Sequence, residues 1–434
     1  MRFTPPAVAG LAFFLLVGPM TTAIKSETIH IGPQDDWFGV LSGSSLRPGD
    51  EVVLAAGTYS DPRKLSIRHR GTVDRPIKIR VEPGRPATFA RPDATQNTFN
   101  LSGAQYLILE GLEITGGAAG VRIGGDGARQ AKFITLQGLH IHHVGGVAVT
   151  ANEPGQVYQS LVFRGNHIHH TSGHGEGFYL GSNNDADGAT TGYIFDSLIE
   201  GNYIHHLNGD AVSQGDGIEL KDGCYNNVIR DNVIHDTNYP GILVYGTDRR
   251  EPNVIERNAI WRTADHGIQA AADAIIRNNL VWETGGWGIY CRDHQSAVVG
   301  DLRIVNNTVL DPQSIRIVTT DSPGGPILVA NNALGGDLRI DGRTTREGTN
   351  DPRQQIQMTN NVTGVRDRFP RTGSAVVGSA DPTFLPRDDY NADPRDGSLD
   401  AGAYRYAADG NPGPPIRPGF KMTTSDPTIL PPAK

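Results

Sequence analysis

The chain has 434 residues, with 54 glycines and 28 prolines against four methionines and 20% charged residues. That balance suits many short strands joined by turns rather than long helices, and the length allows one elongated domain or two compact ones. A formal net charge of −8 argues against a nucleic-acid partner, which needs a basic surface, and an anionic substrate would need a local basic cleft.

Residues 1–23 read as a secretory signal: Arg2 gives a short basic start, Ala7 to Val17 an apolar run broken by Gly10, and Thr21-Thr22-Ala23 a small-residue cleavage site. About a dozen apolar residues are too few to span a bilayer, and no other candidate span follows, so the mature chain is expected to be soluble and secreted or periplasmic. Only Cys224 and Cys291 are present. The repeat described below separates them by three coils, roughly 14 Å at a strand spacing of about 4.8 Å, too far for a disulfide. Cys291 is expected in the core and Cys224 in a turn.

In chain order, the segment DDWFGVLSGSSLRP predicts a short amphipathic helix closing one end of the core. Extended segments EVVLAAGTYS, PIKIRVEP, ATFA and YLILEGLEITGG follow, punctuated by Pro and Gly. From about residue 100 the chain repeats. Gly120, Gly146, Gly177, Gly217, Gly241, Gly267 and Gly288 each precede an apolar residue. A second column is asparagine, at Asn166, Asn202, Asn232, Asn258, Asn279, Asn307, Asn332 and Asn361. Spacings from 21 to 40 residues match a coil of short parallel strands. Three residues before each Asn stands Phe163, Ile199, Ile229, Ile255, Ile276, Ile304, Val329 or Met358, expected to point inward. Two residues before it, Arg164, Glu200, Arg230, Glu256 and Arg277 alternate in sign and predict a surface charge ladder. The asparagines themselves predict stacked amides at a corner.

This pattern is that of a right-handed parallel β-helix, and the chain resembles the pectate-lyase-like superfamily over most of its length. LRPGDEVVLAAGTYSD, RPIKIRVEPG and YLILEGLEITGG look like the opening of many secreted members, and DPTFLPRDDYNADPRDGSLDAGAY resembles their closing segment. The expected fold is all-β, a single-stranded right-handed parallel β-helix. Residues 24–99 form its helical N-terminal cap and first coils, 100–362 the main helix, and 363–434 an irregular cap and Pro-rich tail.

Two clusters of chemistry-bearing residues fall on this repeat. His142, His169, His205 and His235 share one column and His143, His170 and His206 the next, but the first column continues as Trp261 and Trp282. It therefore asks for a flat ring, and stacking is the expected role, with a shared metal ion as the alternative. The second cluster surrounds the glycine column. The residue before each Gly runs Glu176, Asp216, Pro240, His266, Trp287; two after it stand Tyr179, Glu219, Leu243, Gln269, Tyr290; four after it, Gly181, Lys221, Tyr245, Ala271, Arg292. Stacked carboxylates at Glu176, Asp216 and Glu219 repel unless a cation, a proton or a base relieves them, and Ca²⁺ is the expected answer in an exported protein. Lys221, an ion-pair partner at rest, becomes a candidate base, and Tyr245 a proton donor or acceptor. Arg292 is placed to bind a carboxylate along a chain-like substrate, with Tyr179, Tyr290, Trp287, His266, Arg249 and Arg250 lining or rimming a groove.

Around Lys221 the chain is most similar to polysaccharide lyase family six, the chondroitinase B and alginate lyase group. Asp216 and Lys221 have that family's spacing between the last acidic calcium ligand and the catalytic lysine, and Asn227-Val-Ile-Arg230 follows. The resemblance implies β-elimination on an acidic polysaccharide, Lys221 as base, Asp216 as a Ca²⁺ ligand, and Glu219 or Glu176 as others. It departs at Gln214, where the family has a glutamate, and at Leu243-Val-Tyr-Gly246, where a catalytic arginine is missing and Tyr245 would stand in. Secreted mannuronan epimerases are also similar, with an Asp-Pro-His-Asp motif where this chain has Glu219-Leu-Lys-Asp222. A glycoside hydrolase, suggested by Gly-His174-Gly, and a non-catalytic carbohydrate-binding β-helix are the remaining readings. The expected partner is an acidic polysaccharide, met by a monomer with no nucleic acid and no membrane span.

Overall fold

A computed structural model describes residues 25–421 apart from 128, 184–190, 321–323, 344–355, 418 and 420. Residues 1–23, expected to be a secretory signal, and the last part of the tail, 422–434, lie outside the described residues. Strands of two to six residues form three parallel sheets, of 15, 11 and 11 strands. Sheet I runs from Thr28–Ile31 to Ile356–Thr359, sheet II from Gly57–Tyr59 to Ala333–Leu334, and sheet III from Ser66–Ile67 to Leu338–Arg343. Along the main coil each strand pairs with strands one turn earlier and one turn later, which makes the chain a solenoid.

The repeat begins earlier than its sequence signature. Thr28–Ile31 already pairs in register with Glu51–Leu54, so residues before 100 build coils of the same helix. The segment Trp37–Ser42 is helical, as expected; the Asp36 side chain accepts from the Gly39 N–H, and Trp37 and Leu41 are buried. The Trp37 ring meets Tyr59 and Phe89 edge-on at 5.7 and 5.6 Å, closing the N-terminal end of the core.

Columns expected to point inward do so: Phe163, Ile199, Ile229, Ile255, Ile276, Ile304 and Val329 are fully buried. Met358 departs from this and is 51% exposed, because its strand is the last of sheet I and is stacked on one side only. Both cysteines are free and buried, and the Cys224 side chain reaches the core from its turn. The charge ladder is present, with Glu200 between Arg164 and Arg230 and Glu256 against Arg277.

Each corner asparagine follows a residue in the left-handed region, among them Gly165, Gly201, Asp231 and Arg257 at φ 61°, 64°, 56° and 56°. The amides form a continuous buried ladder. Asn232, for instance, donates from Nδ2 to Asn258 Oδ1 at 2.9 Å and to the Ile199 carbonyl at 3.0 Å, while its Oδ1 accepts from Asn202 Nδ2 at 2.9 Å. Replacing it by alanine strands a carbonyl and an amide in a dry corner, so Asn232→Ala is expected to cost about 3 kcal/mol in chemical denaturation. An unchanged midpoint would mean that the ladder is ornamental to stability.

The irregular C-terminal segment does more than cap. It runs back along the outer corner between sheets I and II, where Asp388 meets Arg257, the buried Arg395 donates to Asn278, and Lys421 reaches Asp231. Tyr390 and Tyr404 pack there with Trp261 and Trp282. Among the described residues no helix is long and apolar enough to cross a membrane.

Candidate active site on sheet III

The strand Ile218–Leu220 lies between Phe178–Leu180 and Ile242–Val244, with Tyr179, Glu219 and Leu243 in one register column. Ile218 and Leu220 fill the core, which turns Glu219 and Lys221 outward. The glycine that opens the strand is required by close packing: a Cβ on Gly217 would sit 2.4 Å from the Gly241 carbonyl oxygen, and one on Gly177 2.5 Å from that of Gly217. Backbone N–H groups of Gly177 and Gly217 donate to Asp216 and Pro240 of the next coil. This locks the register and brings Glu176 beside Asp216.

The outward side chains are not exposed. Glu176 and Asp216 are 0% exposed, Glu219 2%, Tyr245 3% and Lys221 5%. A loop after the strand Ile289–Cys291 folds over Tyr245 and Asp222 at one side of the cluster. The His294 ring lies on Tyr245 at 4.4 Å, Ser296 donates to Asp222, and Gln295 reaches Asn183, which also accepts from the Tyr179 hydroxyl at 3.4 Å.

Within the cluster, Lys221 Nζ donates to Glu219 Oε1 at 2.5 Å and to the Tyr245 hydroxyl at 3.1 Å, and that hydroxyl donates to the same Oε1 at 3.1 Å. The ammonium also stands 4.6 Å from the centre of the Tyr179 ring. Next to this triangle, one oxygen each from Glu176, Asp216 and Glu219 lie within 4.8 Å of one another. Both oxygens of Glu176, both of Asp216 and Oε2 of Glu219 are buried and accept no hydrogen bond from the described residues. Burial, followed by the charge of Glu219, raises the Asp216 carboxyl well above its ordinary range, and Glu176 moves the same way for the same reasons. Three carboxylates each offering one hard oxygen at this spacing, with His174 Nδ1 3.7 Å from Glu176 Oε1, are a donor set that suits Ca²⁺. Tyr245 and Tyr179 are both pushed up, chiefly by burial and then by the Glu219 charge, and so are held as neutral phenols. The His294 imidazole is pushed down to about 4 by burial and by Arg292 and Lys221.

Thus Glu176, Asp216, Glu219, Lys221, Tyr245 and Tyr179 share one cluster. His266 and Tyr290 meet ring to ring at 4.2 Å farther along sheet III, and Arg292 is exposed beside them. Arg250, expected on the groove rim, turns the other way: it is pinned by the Gly223 carbonyl and Asp248 and lies between Tyr193 and Tyr225 at the sheet I corner. Arg249 is exposed and stands at a neighbouring acidic cavity with Asp222, Asp273 and Asp301. Two residues escaped the repeat reading. His294 sits on an out-of-register loop that no column reaches. Arg316 pairs in register with Tyr290 and lies over the Trp287 and Tyr290 rings, but its coil has Ser314 where the others have glycine.

Three parallel sheets wound as one coil, with a polar cluster on an outer face, define a parallel β-helix protein. The chain belongs to the right-handed beta helix family, whose model matches residues 93–250 and 158–334. Comparison with curated proteins finds no match. Among solved structures, the chain is similar to XylC in complex with xylose (TM-score 0.60, 10% identity, 88% of this chain and 99% of that one). It is also similar to the pectate lyase Pel9A (TM-score 0.52, 12% identity, 89% and 98%). An alginate lyase from Paenibacillus sp. str. FPU-7 gives a TM-score of 0.48 at 18% identity over 76% of this chain and 99% of that one. At these identities the likeness concerns the fold.

Proposed function

We propose that the chain is a secreted polysaccharide lyase, cleaving a uronate-containing polysaccharide by β-elimination on sheet III, with the His294–Ser296 loop moving off Tyr245 to admit the polymer to the buried cluster. The observation that carries this reading is the Lys221–Tyr245–Glu219 triangle set against five buried carboxylate oxygens that accept no hydrogen bond from the described residues. The proton alpha to a uronate carboxylate is weakly acidic, so that carboxylate must be neutralised before a base can remove it. A calcium ion held by Glu176, Asp216 and Glu219 Oε2 would supply that neutralisation.

The chain's own residues divide the proton transfers. Glu219 Oε1 holds both Lys221 and Tyr245 in place and is an acceptor for the proton that Lys221 gives up to become the free amine. Lys221 then takes the alpha proton. Tyr245, a neutral phenol, gives its proton to the leaving glycosidic oxygen and is reprotonated by Lys221 across their 3.1 Å contact. Tyr179, His266, Tyr290 and Arg292 offer ring faces and a cation to the sugars on either side. The fold shared with a pectate lyase makes uronate polymers the first substrates to test.

The test is a panel of alginate, pectate and glycosaminoglycans with calcium, read by ultraviolet absorbance of unsaturated uronate ends. Absorbance with one polymer supports the reading; inverted uronates without a double bond would assign the same residues to an epimerase. New reducing ends without absorbance would make the chain a hydrolase. Tyr245→Phe keeps the ring against His294 and loses only the hydroxyl, so it is expected to lower kcat about 100-fold with KM nearly unchanged. Export is tested by the N-terminus of secreted material, expected just after residue 23.

A further inference from the structure

Sheet II carries a second cluster of ligand-type side chains, on a different face of the coil from the carboxylates. His142, His169, His205 and His235 stack with ring centres 5.2, 5.1 and 5.2 Å apart, and Trp261 continues the stack at 4.4 Å. The expectation of a ring-stacking column is met. Stacking, however, does not account for how the ring nitrogens face one another. A parallel column, two residues earlier on the same strands, places His140 over His167 at 4.7 Å. Nε2 of His140 lies 2.8 Å from Nε2 of His169, and one nitrogen of each of His140, His167 and His169 lies within 4.8 Å of the others.

Neighbouring bonds set the protonation of these rings. His169 Nδ1 is 2.7 Å from Nδ1 of His170; if His169 donates there, its Nε2 keeps a lone pair aimed at His140. Glu113 Oε1, bonded to His142 Nε2 at 3.0 Å, also stands 3.8 Å from His140 Nδ1, so its charge favours the His140 tautomer with the proton on Nδ1, which frees the Nε2 lone pair without net proton loss. All three rings are half-buried, leaving one side open to solvent.

We propose that His140, His167 and His169 form a binding site for one divalent transition-metal ion of the zinc type. Imidazole nitrogens favour Zn²⁺, Cu²⁺ or Ni²⁺ over Ca²⁺, whereas the sheet III oxygens have the opposite preference, so the two sites sort cations by chemistry. The metal would clip consecutive coils of sheet II and leave a coordination position for water.

The probe is Zn²⁺ titrated calorimetrically into the calcium-saturated protein. The wild type is expected to bind one equivalent. His140→Phe/His169→Phe, which keeps flat rings in both columns, is expected to weaken binding at least about 100-fold. Glu176→Gln/Asp216→Asn is expected to leave it unchanged. Cobalt in place of zinc should give the visible absorption of a tetrahedral nitrogen-ligated ion, a readout that needs only the wild type. Zinc binding that survives in the histidine variant, that is lost with the carboxylates, or that is absent from the wild type would overturn the proposal. So would an oxygen-only cobalt spectrum.

Discussion

Lys221→Ala is expected to lower kcat by about three orders of magnitude on whichever uronate polymer the wild type cleaves. The substitution removes the amine that contacts both Glu219 and Tyr245, and among the described residues no other lysine stands in the cluster. A second consequence separates catalysis from folding. Without the ammonium, three buried carboxylates face one another with less compensation, so the calcium-free variant should melt lower than the wild type. Calcium should bind it more tightly, because the competing positive charge is gone. Loss of activity together with a larger calcium-induced rise in Tm is the expected pair of results. Loss of activity with a calcium response unchanged from wild type would mean that Lys221 and the carboxylates are not one site.

The second large effect is a pH dependence of stability that calcium removes. Asp216 and Glu176 have carboxyls raised by burial and by Glu219, so the folded chain binds more protons than the unfolded chain. Stability of the calcium-free protein therefore falls as pH rises from the ordinary carboxylate value of about 4 through the raised folded values, and no such loss exists below that window. Above the window, calcium at about 100 times its Kd should restore roughly 2.7 kcal/mol. Glu176→Gln/Asp216→Asn should flatten the calcium-free profile, make it more stable than wild type at neutral pH, and abolish the calcium response. Thermal melts across this range, with and without chelator, read all three; a calcium-free profile rising with pH would contradict the assignment.

Much of this arrangement was legible because a solenoid repeats its constraints. Gly217 and Gly241 recur where one coil's backbone presses on the next, and the asparagines recur where their amides bond across a corner, so both columns mark register; the exception is Gly146, since Ala148 two residues on is what aligns with Gly120 and Gly177. Once register is known, period-two alternation alone brings Glu176 beside Asp216 and sets Glu219 and Lys221 outward. The cover over Tyr245 and Asp222 was not legible, since the loop carrying His294 and Ser296 obeys no column and folds over from a later coil. The same limit hid the use of Arg250, whose partners are Tyr193 of sheet I and Tyr225, which bridges to the end of the Tyr193 strand. It also hid the return of the C-terminal segment, which is fastened by single contacts of Asp388, Arg395 and Lys421 rather than by a repeated pattern.

Cation and base acting together is most directly tested by the initial rate of ultraviolet-absorbing product at increasing free calcium, starting from chelator-treated protein. The expected curve begins near zero, saturates, and is lost in Glu176→Gln/Asp216→Asn at every calcium concentration. A rate that is full in chelator, or that survives in that variant, would contradict the assignment of these carboxylates to the chemistry.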